Sequence, residues 1–130
     1  MLEPAIRELA TAGTNFATVC VTLPTGEIAS HVMWIDADDD HIVFNTETHR
    51  AKFRALEHDP RVTVTILKAD NPYAYAEVRG TVAETITGDE ARAHIDALSQ
   101  RYFGKPYDNP ITSERVIVKV APDRQRAVGL

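Results

Sequence analysis

Apolar and polar residues alternate along most of this 130-residue chain, and the alternation predicts a largely β protein. Residues 16–23 show it first, with Ala, Val, Val and Leu on one face and Phe, Thr, Cys and Thr on the other. The turn residues 24–26 follow, so residues 27–36 are expected to return as an antiparallel strand. The acidic run 37–40 makes the next turn, and residues 41–46 form a third strand.

The second half of the chain continues the pattern with longer strands. Residues 61–68 alternate cleanly, and residues 73–86 are long enough to bend, with Gly80 indicating a bulge or a barrel corner. Residues 114–122 and 124–130 are predicted to be two closing strands. Six to seven strands in meander order, in so short a chain, favour a small antiparallel barrel.

Three segments have helical character and are placed at the edges of the barrel. They are residues 3–12, residues 49–57 after the N-cap types Thr46 and Thr48, and a helix that begins at a capping box of Thr87 and Glu90. The third helix has apolar residues at helical spacing, namely Ala91, Ile95, Leu98 and Tyr102. The chain is therefore predicted to be mainly β with flanking helices, in one domain over residues 1–130.

Composition removes several functional classes. Nineteen acidic and 14 basic residues give a net charge of −5, which argues against a general nucleic-acid binder. No apolar run approaches the length of a membrane span. Residues 1–13 are amphipathic and partly acidic, unlike a signal peptide, so a cytoplasmic location is expected. The single Cys20 excludes an internal disulfide and a cysteine-based metal cluster.

The chain carries no catalytic or metal-binding motif. None of its five histidines has a partner at a metal-ligand spacing, and nucleophile-elbow, Walker and dinucleotide glycine patterns are absent. The acidic run 36–40 lacks the spaced ligands of a calcium loop and is interpreted as a turn. No catalytic side chain and no metal site are predicted, so an enzyme of this sequence would depend on a cofactor for its chemistry.

Three cations stand at the start of the second helix, where the helix dipole is already positive. Arg50, Lys52 and Arg54 occur there in an otherwise acidic protein. Cations combined with free backbone N–H groups at a helix start make a site for phosphate or carboxylate. The alternative is a solvated charged face on which Glu47 and Glu57 supply the counter-charges.

Two strands carry faces that do not suit a barrel core. Trp34 lies near the end of one strand, and Tyr73, Tyr75, Glu77 and Arg79 share one face of another. Such a face meets solvent, a ligand or a second subunit. A second subunit is attractive because so small a barrel has little room for a large ligand inside.

These residues resemble a known family. The segment NTETHRAKFRALEHDPRV (45–62), preceded by ASHVMWI and followed by DNPYAYAEVRG, resembles the split β-barrel flavin and deazaflavin oxidoreductases related to pyridoxamine 5′-phosphate oxidase. It is most similar to the actinobacterial group that uses coenzyme F420, an 8-hydroxy-5-deazaflavin. The segments AHIDALSQRYFG and ERVIVKV extend the resemblance over nearly the whole chain, and the R-x-K pair after NT is its most specific part. The implied fold is the FMN-binding split barrel of six to seven antiparallel strands.

The resemblance also implies a homodimer with two cofactor sites at the interface. The residues implied to hold the cofactor phosphate and its acidic tail are Asn45, Thr46, Thr48, Arg50, Ala51 and Lys52, with Arg54 adding charge. Val32, Met33 and Trp34 would line one side of the ring, and Tyr73 and Tyr75 would come from the partner subunit. Similar proteins often read R-x-K-x-R-N-L, whereas this chain has Ala55 in place of Asn, which removes one polar contact expected for the tail.

The implied activity is hydride transfer from reduced F420 to an electron-poor conjugated acceptor such as a quinone, a tetrapyrrole or an enone. F420 carries a phosphodiester and a polyglutamate tail, which suits the cations, and positioning alone would supply the catalysis. Two alternatives stay open. One is an FMN-dependent oxidase or reductase on the same barrel. The other is a non-catalytic cofactor- or haem-binding module with His31 or His49 as axial ligand.

Overall fold

The computed structural model describes residues 1–130 and contains three helices and seven strands. The helices are α1 (Pro4–Thr11), α2 (Ala51–His58) and α3 (Asp89–Phe103). The strands are β1 (Phe16–Thr22), β2 (Ile28–Trp34), β3 (Asp36–Ala37), β4 (Ile42–Glu47), β5 (Arg61–Lys68), β6 (Asn71–Ile86) and β7 (Arg115–Val128). All neighbouring strands are antiparallel, in the order β2-β1-β5-β6-β7-β4-β3. The predicted class, mainly β with flanking helices in a split barrel of six to seven antiparallel strands, is confirmed, since the seven strands form a curled half-barrel.

The two longest strands, β6 and β7, pair along nearly their whole length and bend together. Their register shifts at Gly80, as the sequence predicted for that position. A Cβ atom at Gly80 would lie 2.2 Å from the Ala121 carbonyl oxygen and 2.7 Å from Val120 Cγ1. Because real Cβ atoms do not approach backbone that closely, glycine is required where the two strands cross the bend.

Two predictions about the sheet are wrong. The predicted closing strands are one continuous strand, β7, because pairing with β6 continues past Pro122, which lies opposite Gly80 at the bulge. The order is also not a meander, since β4 pairs with β7 and not with β5. The helix α2 follows β4 and carries the chain to β5 elsewhere in the sheet, which leaves the edge of β4 to be covered by the last strand.

Two predicted helix starts are also wrong. Thr46 belongs to β4, which stays paired with β7 as far as Glu47, and the N-cap of α2 is Arg50 in an extended conformation. Arg50 therefore precedes the helix instead of lying in its first turn. In α3 the capping box at Thr87 does not form, because the N-cap is Gly88, with φ of 76° and no side-chain cap.

The core lies on the inner face of the curled sheet. The valines of β1, β5, β6 and β7 meet there with Phe44 of β4, and α1 closes one end through Ile6 and Leu9. Each fully buried side chain of this size stabilises the fold by roughly 1.5–3 kcal/mol. α3 packs outside, where Ala91 meets Val43 and Ile117 in a smaller cluster. The outer face of β1 and β2 is thus left beside α3, where the candidate site lies.

The turn between β3 and β4 is held by one carboxylate. Asp38 Oδ1 accepts the backbone N–H of Asp40 at 2.9 Å and of His41 at 2.7 Å, and Lys119 Nζ lies 3.1 Å from Oδ2. Partial burial favours the neutral acid, but the hydrogen bonds from Asp40, Lys119 and His41 outweigh it and lower the pKa of Asp38 to about 2. The acidic run is therefore a hydrogen-bonded turn, and no cluster of possible metal ligands is found anywhere in the chain.

Asp38→Asn is expected to lower the free energy of unfolding by about 1 kcal/mol at neutral pH, a small value because the carboxylate is partly solvated. A carboxyl whose pKa is lowered by folding contributes stability above its unfolded pKa of 3.8 and loses it as the pH falls toward 2. Urea denaturation of both proteins at neutral pH and near pH 2 checks this. An equal difference at both pH values would contradict the assignment.

Candidate functional site

An open cavity of about 300 Å³ lies between the ends of β2 and β4, the start of α2, the start of β7 and the buried side of α3. Its lining is apolar on one side and cationic on the other, and we call it the cationic cavity. The lining residues are Phe16, Val32, Met33, Trp34, Asn45, Thr46, Arg50, Lys52, Ile95, Leu98, Tyr107, Asn109 and Arg115.

The cationic cavity brings together seven of the twelve predicted site residues. They are Val32, Met33, Trp34, Asn45, Thr46, Arg50 and Lys52. The other five do not line it within one chain. Thr48 accepts a 3.4 Å hydrogen bond from Glu114 N, Ala51 and Arg54 are exposed on α2, and Tyr73 and Tyr75 lie on β6.

The apolar wall is built around Trp34. Its ring stacks on Tyr102 at a centroid distance of 5.2 Å and 8° between planes, and Phe103 meets it edge-on at 5.1 Å. Tyr107, from the loop after α3, meets it edge-on at 6.4 Å. Held by three aromatic rings, the indole has a fixed position in the apolar wall of the cavity.

The cationic side centres on Lys52, which is only 8% exposed and has no acidic partner. Arg50 and Arg115 line the same cavity. Burial, followed by repulsion from Arg50 and Arg115, lowers the pKa of Lys52. An ammonium without an acidic partner, on a largely buried side chain beside two guanidinium groups, marks a place where an anion belongs.

One buried carboxylate supports this cluster. Glu47 accepts the backbone N–H of Thr112 at 2.8 Å and of Ser113 at 3.0 Å, while Arg50 Nη2 lies 3.3 Å and Arg115 Nη1 3.6 Å from its other oxygen. Burial opposes ionisation of Glu47, but these hydrogen bonds and the two arginines outweigh it and lower its pKa. Arg50 and Arg115 therefore share one anion while Lys52 has none, and the cluster keeps an excess of positive charge.

A comparison with protein families settles the relationship that the sequence indicated. The family model described as pyridoxamine 5′-phosphate oxidase matches residues 2–129. The chain belongs to the pyridoxamine 5′-phosphate oxidase family. None of the curated proteins matches the chain.

Solved structures of similar fold agree with membership of the pyridoxamine 5′-phosphate oxidase family. One is called an F420 reductase, with 28% identity, a TM-score of 0.80 and coverage of 97% of this chain and 98% of that one. Another is the conserved hypothetical protein Rv2991 of Mycobacterium tuberculosis, with 23% identity, a TM-score of 0.76 and coverage of 98% and 84%. General Stress Protein 26 of Bacillus anthracis is similar at 17% identity, a TM-score of 0.70 and coverage of 95% and 92%. The last two show the fold.

Sequence reasoning missed several residues that this family member places at the cavity. The most important is Arg115, which lies in the predicted strand 114–122 and was given no role at a site. Glu47 does not line the cavity itself, but it contacts Arg50 and Arg115 there, whereas the sequence suggested only a surface counter-charge. Tyr107 and Asn109 were assigned to a surface loop. No local signal marks them, because all except Glu47 reach the site from the last quarter of the chain.

The departure at Ala55 has a different meaning from the one expected. Ala55 is 1% exposed and packs in the main core beneath α2. The position faces the core and does not line the cationic cavity, so alanine there fills core space in place of a contact to a tail.

The two histidines considered as axial ligands for a haem also lie outside the cationic cavity. His31 lies on β2, and His49 Nδ1 lies 2.6 Å from Ser113 Oγ. None of the three helices is long and apolar enough to span a membrane.

Proposed function

We propose that this protein is a coenzyme F420-dependent oxidoreductase that transfers hydride from the reduced deazaflavin to an electron-poor conjugated small molecule of quinone, tetrapyrrole or enone type. The observation that carries the proposal is Lys52, a largely buried lysine that has no acidic partner and lines the same cavity as the apolar wall around Trp34. F420 joins a conjugated ring to an anionic phosphodiester and tail, and so needs both kinds of surface. The 28% identity to a structure called an F420 reductase supports the same assignment.

Different residues of the chain would bind different parts of such a cofactor. Lys52, Arg50 and Arg115 would bind the phosphate, and Trp34 with Met33 would bound the ring. The exposed Arg54, on the same helix as Lys52, would contact the acidic tail. When bound, the deazaflavin supplies the hydride. No side-chain nucleophile is required. The cavity residues would position the cofactor and the substrate and exclude water from them, without reacting themselves.

FMN is the second candidate cofactor. The name of the family, pyridoxamine 5′-phosphate oxidase, favours it, and the FMN phosphate would use the same three cations. Titration of the isolated protein with F420 and with FMN, followed by fluorescence and absorbance, separates the two. We expect saturable F420 binding, and tight FMN binding without F420 binding would overturn the first assignment. Oxidation of reduced F420 with quinones, biliverdin-like tetrapyrroles and enones then identifies the acceptor class.

We further propose that the protein works as a homodimer in which a second copy covers the outer face of β1, β2, β5 and β6. That face carries exposed apolar side chains, with Val32 71% and Tyr73 83% exposed, beside Phe16 and Leu67. It is continuous with the cationic cavity, since Phe16 and Val32 belong to both. A second copy would close the open side of the cavity, and Tyr73 and Tyr75 would reach it only from that copy.

Leu67→Glu is expected to shift the protein from dimer to monomer, because a carboxylate would be buried without a partner on that face. The loss should be about 2 kcal/mol or more of association free energy. Light scattering and sedimentation over a concentration series measure it. Gln100→Glu, which adds the same charge on the exposed side of α3, is the matched control and should stay dimeric. A wild-type protein that is monomeric at all concentrations would remove the proposed role of Tyr73 and Tyr75.

A further inference from the structure

A chain of polar side chains runs behind the cationic cavity and ends on one of its cations. His94 Nε2 lies 3.0 Å from Asp36 Oδ2, His94 Nδ1 lies 3.0 Å from Asn45 Nδ2, and Arg115 Nε donates to Asn45 Oδ1 at 2.8 Å. Asn45 and Arg115 are both buried, and His94 is nearly so. Asn45 and Arg115 line the cavity, whereas His94 does not.

The donors and acceptors of these side chains allow each group in the hydrogen-bonded series only one orientation. An arginine Nε can only donate, so Asn45 must present its carbonyl oxygen to Arg115. The two amide hydrogens of Asn45 then go to the Ala91 carbonyl oxygen at 3.0 Å and to His94 Nδ1. His94 Nδ1 accepts, so the ring carries its proton on Nε2 and donates it to Asp36.

All three hydrogen bonds therefore point the same way, from the guanidinium of Arg115 to the carboxylate of Asp36, and bonds aligned in this manner strengthen one another. Asn45 has no amide hydrogen left for a ligand. Its part at the site is to hold Arg115, whose Nη1 is 3.6 Å from Glu47 and whose guanidinium lies 5.1 Å from the centre of the Tyr107 ring. Without the anchor at Nε, Arg115 is free to close onto Glu47 as a bidentate pair.

We propose that His94 is a positioning residue for the anion site: by fixing the Asn45 amide, it keeps the Arg115 guanidinium turned toward the cavity and away from full pairing with Glu47. This inference rests on the proposed function for its ligand, a phosphate-bearing deazaflavin. His94 itself touches neither ring nor phosphate. Its loss should weaken the hold on the phosphate and leave the hold on the ring unchanged.

Two substitutions test the contacts of the two ring nitrogens of His94 independently. In His94→Asn, the side-chain oxygen stands near the position of Nδ1 and still accepts from Asn45. In His94→Gln, the amide stands near the position of Nε2, so it reaches Asp36 and leaves Asn45 without its acceptor. His94→Phe removes both contacts, and His58→Phe, at the exposed end of α2, is the control for replacing an imidazole with a phenyl ring.

The first readout is affinity for F420 and for the deazaflavin that lacks the phosphate and tail. We expect His94→Gln and His94→Phe to weaken F420 binding about tenfold and to leave binding of the phosphate-free deazaflavin unchanged. His94→Asn and His58→Phe should bind both as the wild type does. Equal weakening of both deazaflavins in His94→Gln and His94→Phe would show a general structural role and overturn the inference, as would unchanged F420 affinity in both.

The second readout needs no cofactor. The Nε–H of Arg115 should give a slowly exchanging ¹H–¹⁵N NMR signal in the wild type and in His94→Asn, and the protection should be lost in His94→Gln and His94→Phe. Protection that survives in all variants overturns the positioning role. If the wild type binds neither deazaflavin while protection follows the expected pattern, the proposed cofactor is wrong and the positioning of Arg115 stands.

Discussion

Lys52→Met is expected to weaken F420 binding by about 2 kcal/mol, roughly thirtyfold, while making the unliganded protein more stable. The binding loss follows because a buried charge-assisted contact to the phosphate disappears. The gain in stability, about 1 kcal/mol, follows because methionine fills similar space without a partly desolvated ammonium that Arg50 and Arg115 repel. Opposite signs in binding and stability are characteristic of a residue retained for a ligand.

The stability difference should also depend on pH, because burial and the neighbouring arginines lower the pKa of Lys52 in the folded state. The unfolded chain then binds the proton more tightly, so the wild type gains stability as the pH rises from the folded pKa toward the unfolded value of 10.5. Methionine does not titrate, and its advantage should shrink in alkaline solution.

Chemical denaturation at neutral pH and near pH 10, with F420 titrations of the same samples, measures both effects of Lys52→Met. Lys68→Met is the matched control, since Lys68 is exposed and outside the cavity, and it should change neither quantity. If F420 affinity is unchanged in both Lys52→Met and Arg50→Ala, the cations of this segment form a solvated charged face and not a binding site.

Glu47→Ala should be the most destabilising substitution at the site, by about 3–5 kcal/mol, because it removes the one anion from beneath two arginines. It also leaves the N–H groups of Thr112 and Ser113 without their acceptor. Glu47→Gln keeps an acceptor for those groups and should cost less, about 2 kcal/mol. The difference between the two variants measures how much of the effect is charge and how much is hydrogen bonding.

The pH dependence gives Glu47 a second test. Its pKa is lowered by folding, so its contribution is present above the unfolded value of 4.5 and fades as the pH falls below that value. Wild type and Glu47→Gln should therefore converge in acid when their urea denaturation curves are compared. Inorganic phosphate should stabilise Glu47→Gln more than the wild type, because an external anion replaces the lost charge. Equal stabilisation would place the anion site elsewhere.

The strands and the cations near the start of α2 could be predicted from the sequence because both depend on residues close together in the chain. Alternation over seven or eight consecutive residues predicted β1 and β5, and the R-x-K pair predicted Arg50 and Lys52. Arg115 was missed because it meets Asn45 across 70 positions of sequence through the pairing of β4 with β7. A meander, the simplest order for six or seven strands, places those two strands apart.

The misplaced start of α2 has the same origin. Local preference favours a helix from the threonines onward, but the ladder between β4 and β7 holds residues through Glu47 in the sheet. Tertiary pairing overrides local preference there, and it moves Arg50 from the helix to the position before it. The candidate site could therefore be located from sequence, while the carboxylate and the guanidinium that shape it could not.

The sheet order also determines when the anion site can first form during synthesis of the chain. β4 joins the rest of the sheet only through β7, which is synthesised after the other six strands, and β3 joins it only through β4. Until then the emerging chain carries Lys52 without Arg115 and leaves one strand edge open, which is an aggregation hazard. Contacts so distant in sequence also slow folding. The anion site therefore cannot form until β7 has paired with β4 and brought Arg115 beside Lys52.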